Sequence, residues 1–286
     1  MDPVFIAIQL LNGLQYGLLL FLIASGLTLI FGIMGIINLA HGAMYMIGAY
    51  LAYDLTLRTG SFWLALLLAV PIAVVLGLVI ERLFLGTLYR RDHLYQVLLT
   101  FGLILVLNEA QRIIWGSDVQ SVPVPASLSG NIALTGNLQY PVYRLFVAAI
   151  CLLVAGGIYW IIRHTRLGIV IRAGAVNRDM VEGLGIDVRT LFTLIFSVGV
   201  GLAAFAGMLS APMTSLYPGM GDNILITCFV IVVIGGIGSI KGAFLGSLLI
   251  GQAATFGPVL LPALASVIIY LIMAAVLIIK PRGLFA

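Results

Sequence analysis

Continuous apolar runs, each about 20 residues long, recur along the whole chain and do not alternate with period two. Inside a bilayer every backbone N–H and C=O must find its partner within the protein, so only helices or a closed barrel can cross. Runs of this length and continuity select helices. Composition agrees: 62% of residues are hydrophobic and only 8% charged, against about 25% charged in soluble domains. The expected fold class is an all-α integral membrane protein, a polytopic helical bundle.

Nine hydrophobic segments are expected, at roughly 4–30, 34–55, 62–85, 94–115, 142–163, 188–215, 222–240, 243–260 and 262–280. Two joins are too apolar for ordinary loops: FGIMGII between the first and second segments, and GGIGSIKG between the seventh and eighth. Either fits a broken or re-entrant helix, which leaves eight full spans as the alternative. Residues 1–286 then form one transmembrane domain. MDPVF at the start has no basic residue and no cleavage site interrupts the first run, so that segment is expected to be retained.

With nine segments, one set of connections holds Arg82, Arg90, Arg91, the arginines between 163 and 189, Lys241, Lys280 and Arg282. Of the fourteen basic residues, only Arg58, Arg112 and Arg144 fall in the other set. The positive-inside rule places the first set, and with it the C-terminus, in the cytoplasm. The net charge of +4 is explained by this asymmetry and is no nucleic-acid signal.

The stretch 163–189 departs from the apolar background. It contains Arg163, Arg166, Arg172, Arg178 and Arg189 together with Asp179, Glu182 and Asp187. Ala173, Val176, Met180 and Leu184 fall on one arc of a helix, with Arg172, Arg178, Asp179 and Glu182 opposite. Gly183 and Gly185 then supply a stop. Such a helix either docks another protein or lies on lipid headgroups, and the pattern favours neither.

On the opposite side, the loop 116–141 has no Lys or Arg. Pro123, Pro125, Gly130 and Gly136 punctuate it, and NIALTGNLQY has strand character. It reads as a plain solvated loop or a small ordered cap, with a slight preference for the former. Gly199, Ala203 and Gly207 share a face at spacing four, as close helix packing requires. GIINLAHGA (35–43) also lines up with GGIGSIKGA (235–243), a weak echo that would relate two halves through broken helices.

No catalytic constellation is present. His41, His93 and His164 are isolated, Cys151 and Cys228 sit in apolar runs, and no HExxH, CxxC, GxSxG or phosphate-loop motif occurs. Neither catalytic residues nor a metal site is expected. Polar residues within the spans are the remaining candidates: Asn12, Gln15 and Tyr16 on one face with Gln9 nearby, and Asn38, His41 and Tyr45 as a stripe beside an expected helix break. Asn108, Glu109, Gln111 and Arg112 crowd the end of the fourth segment, where Glu109 and Arg112 can pair. Such groups face a cavity or bond to other helices. For a single residue the helix–helix bond is the commoner explanation; for the 38–41–45 stripe a pathway role is favoured.

GLTLIFGIMGIINLAHGAMYMIG (26–48), RLGIVIRAGAVNRDMVEGLGID (166–187), GGIGSIKGAFLGSLLIG (235–251) and KPRGLF (280–285) together resemble the LivH-like permeases of bacterial ABC importers of the branched-chain amino acid type. The resemblance spans nearly the whole chain. It implies a multi-pass subunit of the cytoplasmic membrane that pairs with a second, LivM-like permease. It further implies two cytoplasmic ATPase subunits, a periplasmic solute-binding protein, and ATP used by those partners, with no cofactor bound by this chain. It implies import by alternating access, with 163–189 as the coupling element: Arg172, Asn177, Arg178, Asp179, Glu182, Gly183 and Gly185 would face an ATPase. The loop 116–141 would receive the binding protein, which reverses the preference for a plain loop. Asn12, Gln15, Asn38, His41 and Tyr45 are the residues expected near the solute pathway.

A branched-chain or other apolar amino acid is the expected cargo, with urea, short amides or aromatic acids as alternatives within the family. A self-sufficient, ion-coupled transporter is the rival from another class. It needs ionisable residues in the core, and the spans offer Glu109 and little else.

Overall fold

The first helix, α1 (Pro3–Leu29), carries no charged residue and continues into a π-helical turn, Ile30–Met34. The computed structural model describes residues 3–89, 91–135 and 138–285, so Arg90 and Gly136 lie outside the described residues, as do the side chains of Arg178 and Asp179. The π-turn ends at Gly35, whose φ of 67° suits glycine and strains residues that carry a Cβ. Residues 35–40 then run without helix through the interior, with Ile36, Asn38 and Ala40 fully buried. Non-helical backbone at membrane depth is tolerated where protein surrounds it. Helix α2 (His41–Thr59) starts within this shell, its first ring bonded to the carbonyl of Ile23 in the body of α1. The break expected in FGIMGII is present, and it delays the second helix from residue 34 to His41.

The chain continues through α3 (Phe62–Leu83), α4 (His93–Trp115), the strands β1 (Asn131–Thr135) and β2 (Leu138–Pro141), and α5 (Val142–His164). Two short helices follow, α6 (Arg166–Val176) and α7 (Arg178–Gly183). The last part holds α8 (Val188–Ser210), α9 (Met220–Gly235), α10 (Ile240–Leu260) and α11 (Ile268–Ile279). Each of the nine expected segments contains a helix. Among the described residues, six helices are long and apolar enough to cross a membrane: α1 with its π-turn, α3, α4, α5, α8 and α10. Helix α9 has 16 residues and α11 has 12. At 1.5 Å per residue they reach about 24 and 18 Å, short of a hydrocarbon core of about 30 Å. Among the described residues the bundle thus combines six long apolar helices, the less apolar α2 of 19 residues, and the shorter α9 and α11.

Helices α1 and α8 form the buried centre. Helix α10 lies along α1, α2 and α3 pack on α8, and α9 packs on both α2 and α10. Glycine permits close crossings: a Cβ on Gly48 of α2 would stand 2.1 Å from the carbonyl oxygen of Ala204 on α8. The small-residue face of α8 is used in full, Gly199 meeting Gly26 of α1 and Gly207 meeting Tyr45 of α2.

The second glycine-rich join is also a break. Helix α9 stops at Gly235, Gly236 and Gly238 take φ of 97° and 79°, and Ser239 caps α10 by accepting from the Gly242 amide at 3.2 Å. The two breaks touch, since a Cβ on Gly32 would lie 2.6 Å from Gly238 Cα. Helix α1 packs on α10 and α9 packs on α2, so the helices flanking the two breaks lie against one another. The C-terminal residues close over the second break: the amides of Leu284 and Phe285 donate to Ile234 and Gly235 at 2.8 and 3.1 Å.

The described residues of 116–141 form a structured cap. Gln120 pairs with Leu216 as an antiparallel bridge, Tyr53 donates to the Gln120 side chain at 2.7 Å, and β1 pairs with β2. Val122 and Tyr140 are buried beneath it.

Candidate coupling face and solute pathway

The polar stretch after α5 is built by three caps in succession. Thr165 leaves the helix with extended angles and accepts from the Gly168 amide at 3.2 Å, which starts α6. Gly168 lets α6 fold back on the end of α5, because a Cβ there would stand 2.2 Å from the Ile162 carbonyl oxygen. Arg172 Nη1 donates to that same carbonyl. Asn177, at φ −153° and ψ 103°, ends α6 and caps α7 by accepting from Met180 N at 3.0 Å. Asp187 caps α8, accepting from the amides of Arg189 and Thr190 at 3.0 and 3.2 Å and from the Thr190 hydroxyl at 2.5 Å. The Thr190 bonds hold the Asp187 carboxyl below the usual carboxylate range.

The single amphipathic helix expected over 173–184 is therefore corrected to two helices with a joint at Asn177. An Asn side chain satisfies a helix-start amide better in extended backbone than in a helix interior. The joint also changes which apolar residues are buried. Ile171 of α6 and Val181 of α7 face the protein, whereas Val176, Met180 and Leu184 are 88%, 65% and 73% exposed. Around them Arg172, Asn177, Glu182, Gly183 and Gly185 are also exposed. Arg178 and Asp179 belong to the first turn of α7.

The residues considered for the solute pathway divide into two groups. Asn12 lies under the cap over 116–141, where its Oδ1 accepts from Tyr140 Oη at 3.0 Å and Arg144 Nη1 at 2.5 Å. Burial pushes the Tyr140 hydroxyl up, against the opposing pull of the Arg144 charge. Gln15, one turn deeper, is buried, and its Nε2 has no partner among the described residues. The second group surrounds the start of α2. Asn38 precedes the helix rather than sharing its face, because α2 begins only at His41, and this corrects the expected stripe. Asn38 Oδ1 accepts from the Ala40 amide at 3.1 Å. His41 Nε2 donates to Ile23 O at 2.9 Å, which fixes the tautomer, and Tyr45 Oη bonds Ser210 Oγ at 2.7 Å. Asn38 Nδ2 and His41 Nδ1 have no partner among the described residues.

A cluster not anticipated from the sequence stands at the α6–α7 end of the bundle. Glu81 of α3 is 1% exposed. It accepts from Tyr89 Oη and, at 2.6 Å, from Thr193 Oγ1 of α8. Burial first, then the bond to Glu81, push the Tyr89 hydroxyl up. Glu109, singled out earlier, is exposed and lies 3.9 Å from Arg112 in a surface pair. Among the described residues the buried acid is Glu81.

A family model described as branched-chain amino acid transport system / permease component matches residues 9–277. The chain belongs to this family. It is 33% identical to the high-affinity branched-chain amino acid transport system permease protein BraD of Pseudomonas aeruginosa, over 96% of this chain and 94% of the relative. It is 29% identical to LivH of the corresponding system in Escherichia coli strain K12, with the same coverage. A more distant likeness, 27%, joins it to LivM of that organism over 80% of this chain and 59% of LivM. No solved structure matches the chain.

Family and span count together make this a multi-pass membrane permease. Within that permease, Glu81 and Thr193 tie α3 to the first turns of α8, the helix that leaves α7. Glu81 stands next to Arg82 at the end of an apolar run, and in sequence the two look like an interfacial pair. Its position inside the third segment, short of the segment's end, was the available signal.

Proposed function

We propose that this chain is the permease subunit of an ATP-driven importer of the bacterial cytoplasmic membrane, moving a branched-chain or other apolar amino acid inward by alternating access. In this reading it pairs with a LivM-like permease, two ATPase subunits dock on its cytoplasmic side, and a periplasmic binding protein delivers the solute to the cap over 116–141. The C-terminus lies in the cytoplasm.

The observation that carries the reading is the exposed trio Val176, Met180 and Leu184 on a segment otherwise dressed for water. Apolar side chains so exposed, between two anchored helices, suit a partner's groove. Arg172, Asn177 and Glu182 would form the polar rim, with Arg178 and Asp179 assigned there by their place on α7. Relatives named as branched-chain amino acid permeases support the cargo class. The unpaired atoms of Asn38 and His41 beside the broken helix support their place near the pathway; Gln15 and Tyr45 border it, and Asn12 stands at its outer end.

The test is uptake by membrane vesicles holding all presumed partners, with labelled amino acids and urea, with and without ATP, and with Met180→Asp. ATP-dependent uptake of an apolar amino acid, lost in the variant, supports the reading. Uptake by this chain alone, driven by an ion gradient and abolished by Glu81→Gln, would sink it in favour of a secondary transporter.

A further inference from the structure

Two adjoining cavities open between α5 and α10. The first, about 560 Å³, is lined by Arg163, Arg172 and Lys241 with Tyr159, Ile162 and Ser239 among its walls. The second, about 490 Å³, is apolar, with Phe21, Leu152, Gly156, Phe244 and Leu245 around it. Tyr159, Ile240 and Lys241 border both, so the two form one cleft with a cationic mouth and an apolar body.

The cations at the mouth keep donors free. Arg163 spends one on Tyr159 Oη at 2.7 Å, with its guanidinium 5.7 Å from the centre of that ring. Arg172 spends one on the Ile162 carbonyl. Among the described residues no acidic side chain lines either cavity. The body is walled by Phe21 of α1, whose ring meets that of Phe244 edge-on at 5.1 Å. A Cβ on Gly156 would find nothing within 4 Å. From Leu152 to Arg163 the cleft follows α5 for about 16 Å, about half of a hydrocarbon core, and so the depth of one leaflet.

We propose that this cleft binds one anionic phospholipid from the leaflet on the α6–α7 side. The phosphate sits among Arg163, Arg172 and Lys241, and an acyl chain lies in the groove between α5 and α10. A free phosphate would satisfy the mouth and leave the apolar body unused; a neutral lipid would fill the body and leave three like charges together. Only a molecule with both parts complements the whole cleft. Because Arg172 belongs to α6 and Lys241 to the start of α10, the lipid would join the two elements that meet there.

The test is a lipid titration of the full chain in mild detergent, read by native mass spectrometry, with dioleoyl phosphatidylglycerol against dioleoyl phosphatidylcholine. Retention of phosphatidylglycerol at least tenfold tighter is expected. Arg172→Gln and Lys241→Gln, both at exposed positions, should each weaken it about fivefold, without altering phosphatidylcholine. Arg82→Gln, a cation outside the cleft, should change nothing. Gly156→Leu, which fills the body, should weaken phosphatidylglycerol while leaving inorganic phosphate binding as it was. Equal retention of the two lipids would overturn the proposal, as would complete displacement by millimolar phosphate, which would mark a free-anion site. Loss of the bound lipid on adding ATPase subunits would also overturn it, identifying the mouth as a protein interface. The lipid measurements are independent of whether the chain imports amino acids; the ATPase arm is not, because Arg172 also belongs to the proposed docking rim.

Discussion

Thr193 of α8 donates its hydroxyl to Glu81 of α3 at 2.6 Å, across a bond that is buried on both sides. Tyr89, from the connection after α3, donates to the other oxygen of the same carboxylate. One acid thus gathers three parts of the chain at the end of the bundle where α7 leads into α8. Glu81→Ala leaves the Tyr89 hydroxyl without its acceptor, at a cost of about 1–3 kcal/mol. Thr193 loses less, because it also reaches Arg189 O at 3.1 Å. Thermal unfolding in detergent should fall clearly for Glu81→Ala and recover by half or more in Glu81→Gln, which keeps an acceptor oxygen. Equal midpoints for all three proteins would remove the cluster from any structural role.

The exposed side chains of α7 make the docking reading testable without disturbing the fold. Met180 is 65% exposed, so Met180→Asp should leave expression and unfolding unchanged. If the side chain is buried in a partner's groove, losing it costs about 1.5–3 kcal/mol, or roughly a 10- to 150-fold weaker complex. Co-purification of the ATPase subunits in a salt and dilution series measures this. Undiminished capture would rule the methionine out of the interface.

Asp187 gives the start of α8 a pH dependence of known sign. Its folded pKa is depressed by the Thr190 and Arg189 bonds, so the cap is at full strength above the ordinary carboxyl value of about 4. It weakens as pH falls through the lowered value. Hydrogen exchange at Arg189 and Thr190, taken relative to mid-helix amides of α8, should accelerate as pH approaches about 3. Asp187→Ser, a cap without charge, should show a flat ratio. A matching acceleration in the serine variant would assign the effect to another group.

Gly48 tests the central crossing. With a Cβ placed only 2.1 Å from Ala204 O, Gly48→Val forces a side chain against backbone, and overpacking of this kind costs about 1–3 kcal/mol or more. Gly102 of α4 has nothing within 4 Å of that position. Membrane accumulation should collapse for Gly48→Val and stay normal for Gly102→Val. Similar levels of the two would mean that α2 and α8 are not in the stated contact.

Much of this architecture could be read from local pattern, and what escaped was non-local. Length and apolarity located every main helix, because the bilayer imposes that rule on each segment separately. The breaks at Gly35 and Gly236 were visible as glycine in apolar surroundings. The joint at Asn177 was missed although its signal was present: Asn177 followed by Asp179 and Glu182 is a helix start, overlooked in favour of a longer apolar arc. Glu81 escaped for a different reason. No window on the sequence brings Thr193 beside it; only the packing of α3 on α8 does. The same holds for Arg163, Arg172 and Lys241, which sequence assigns to separate connections and the fold assembles around one cleft.

The contact of Gly32 with Gly238 sets how closely the two broken stretches can lie. Interlocked side chains act as gear teeth that keep two backbones apart. Here one bare backbone rests on another. The two broken stretches are thus held at a distance that only bare backbone allows, and alanine at position 32 would have to push them apart.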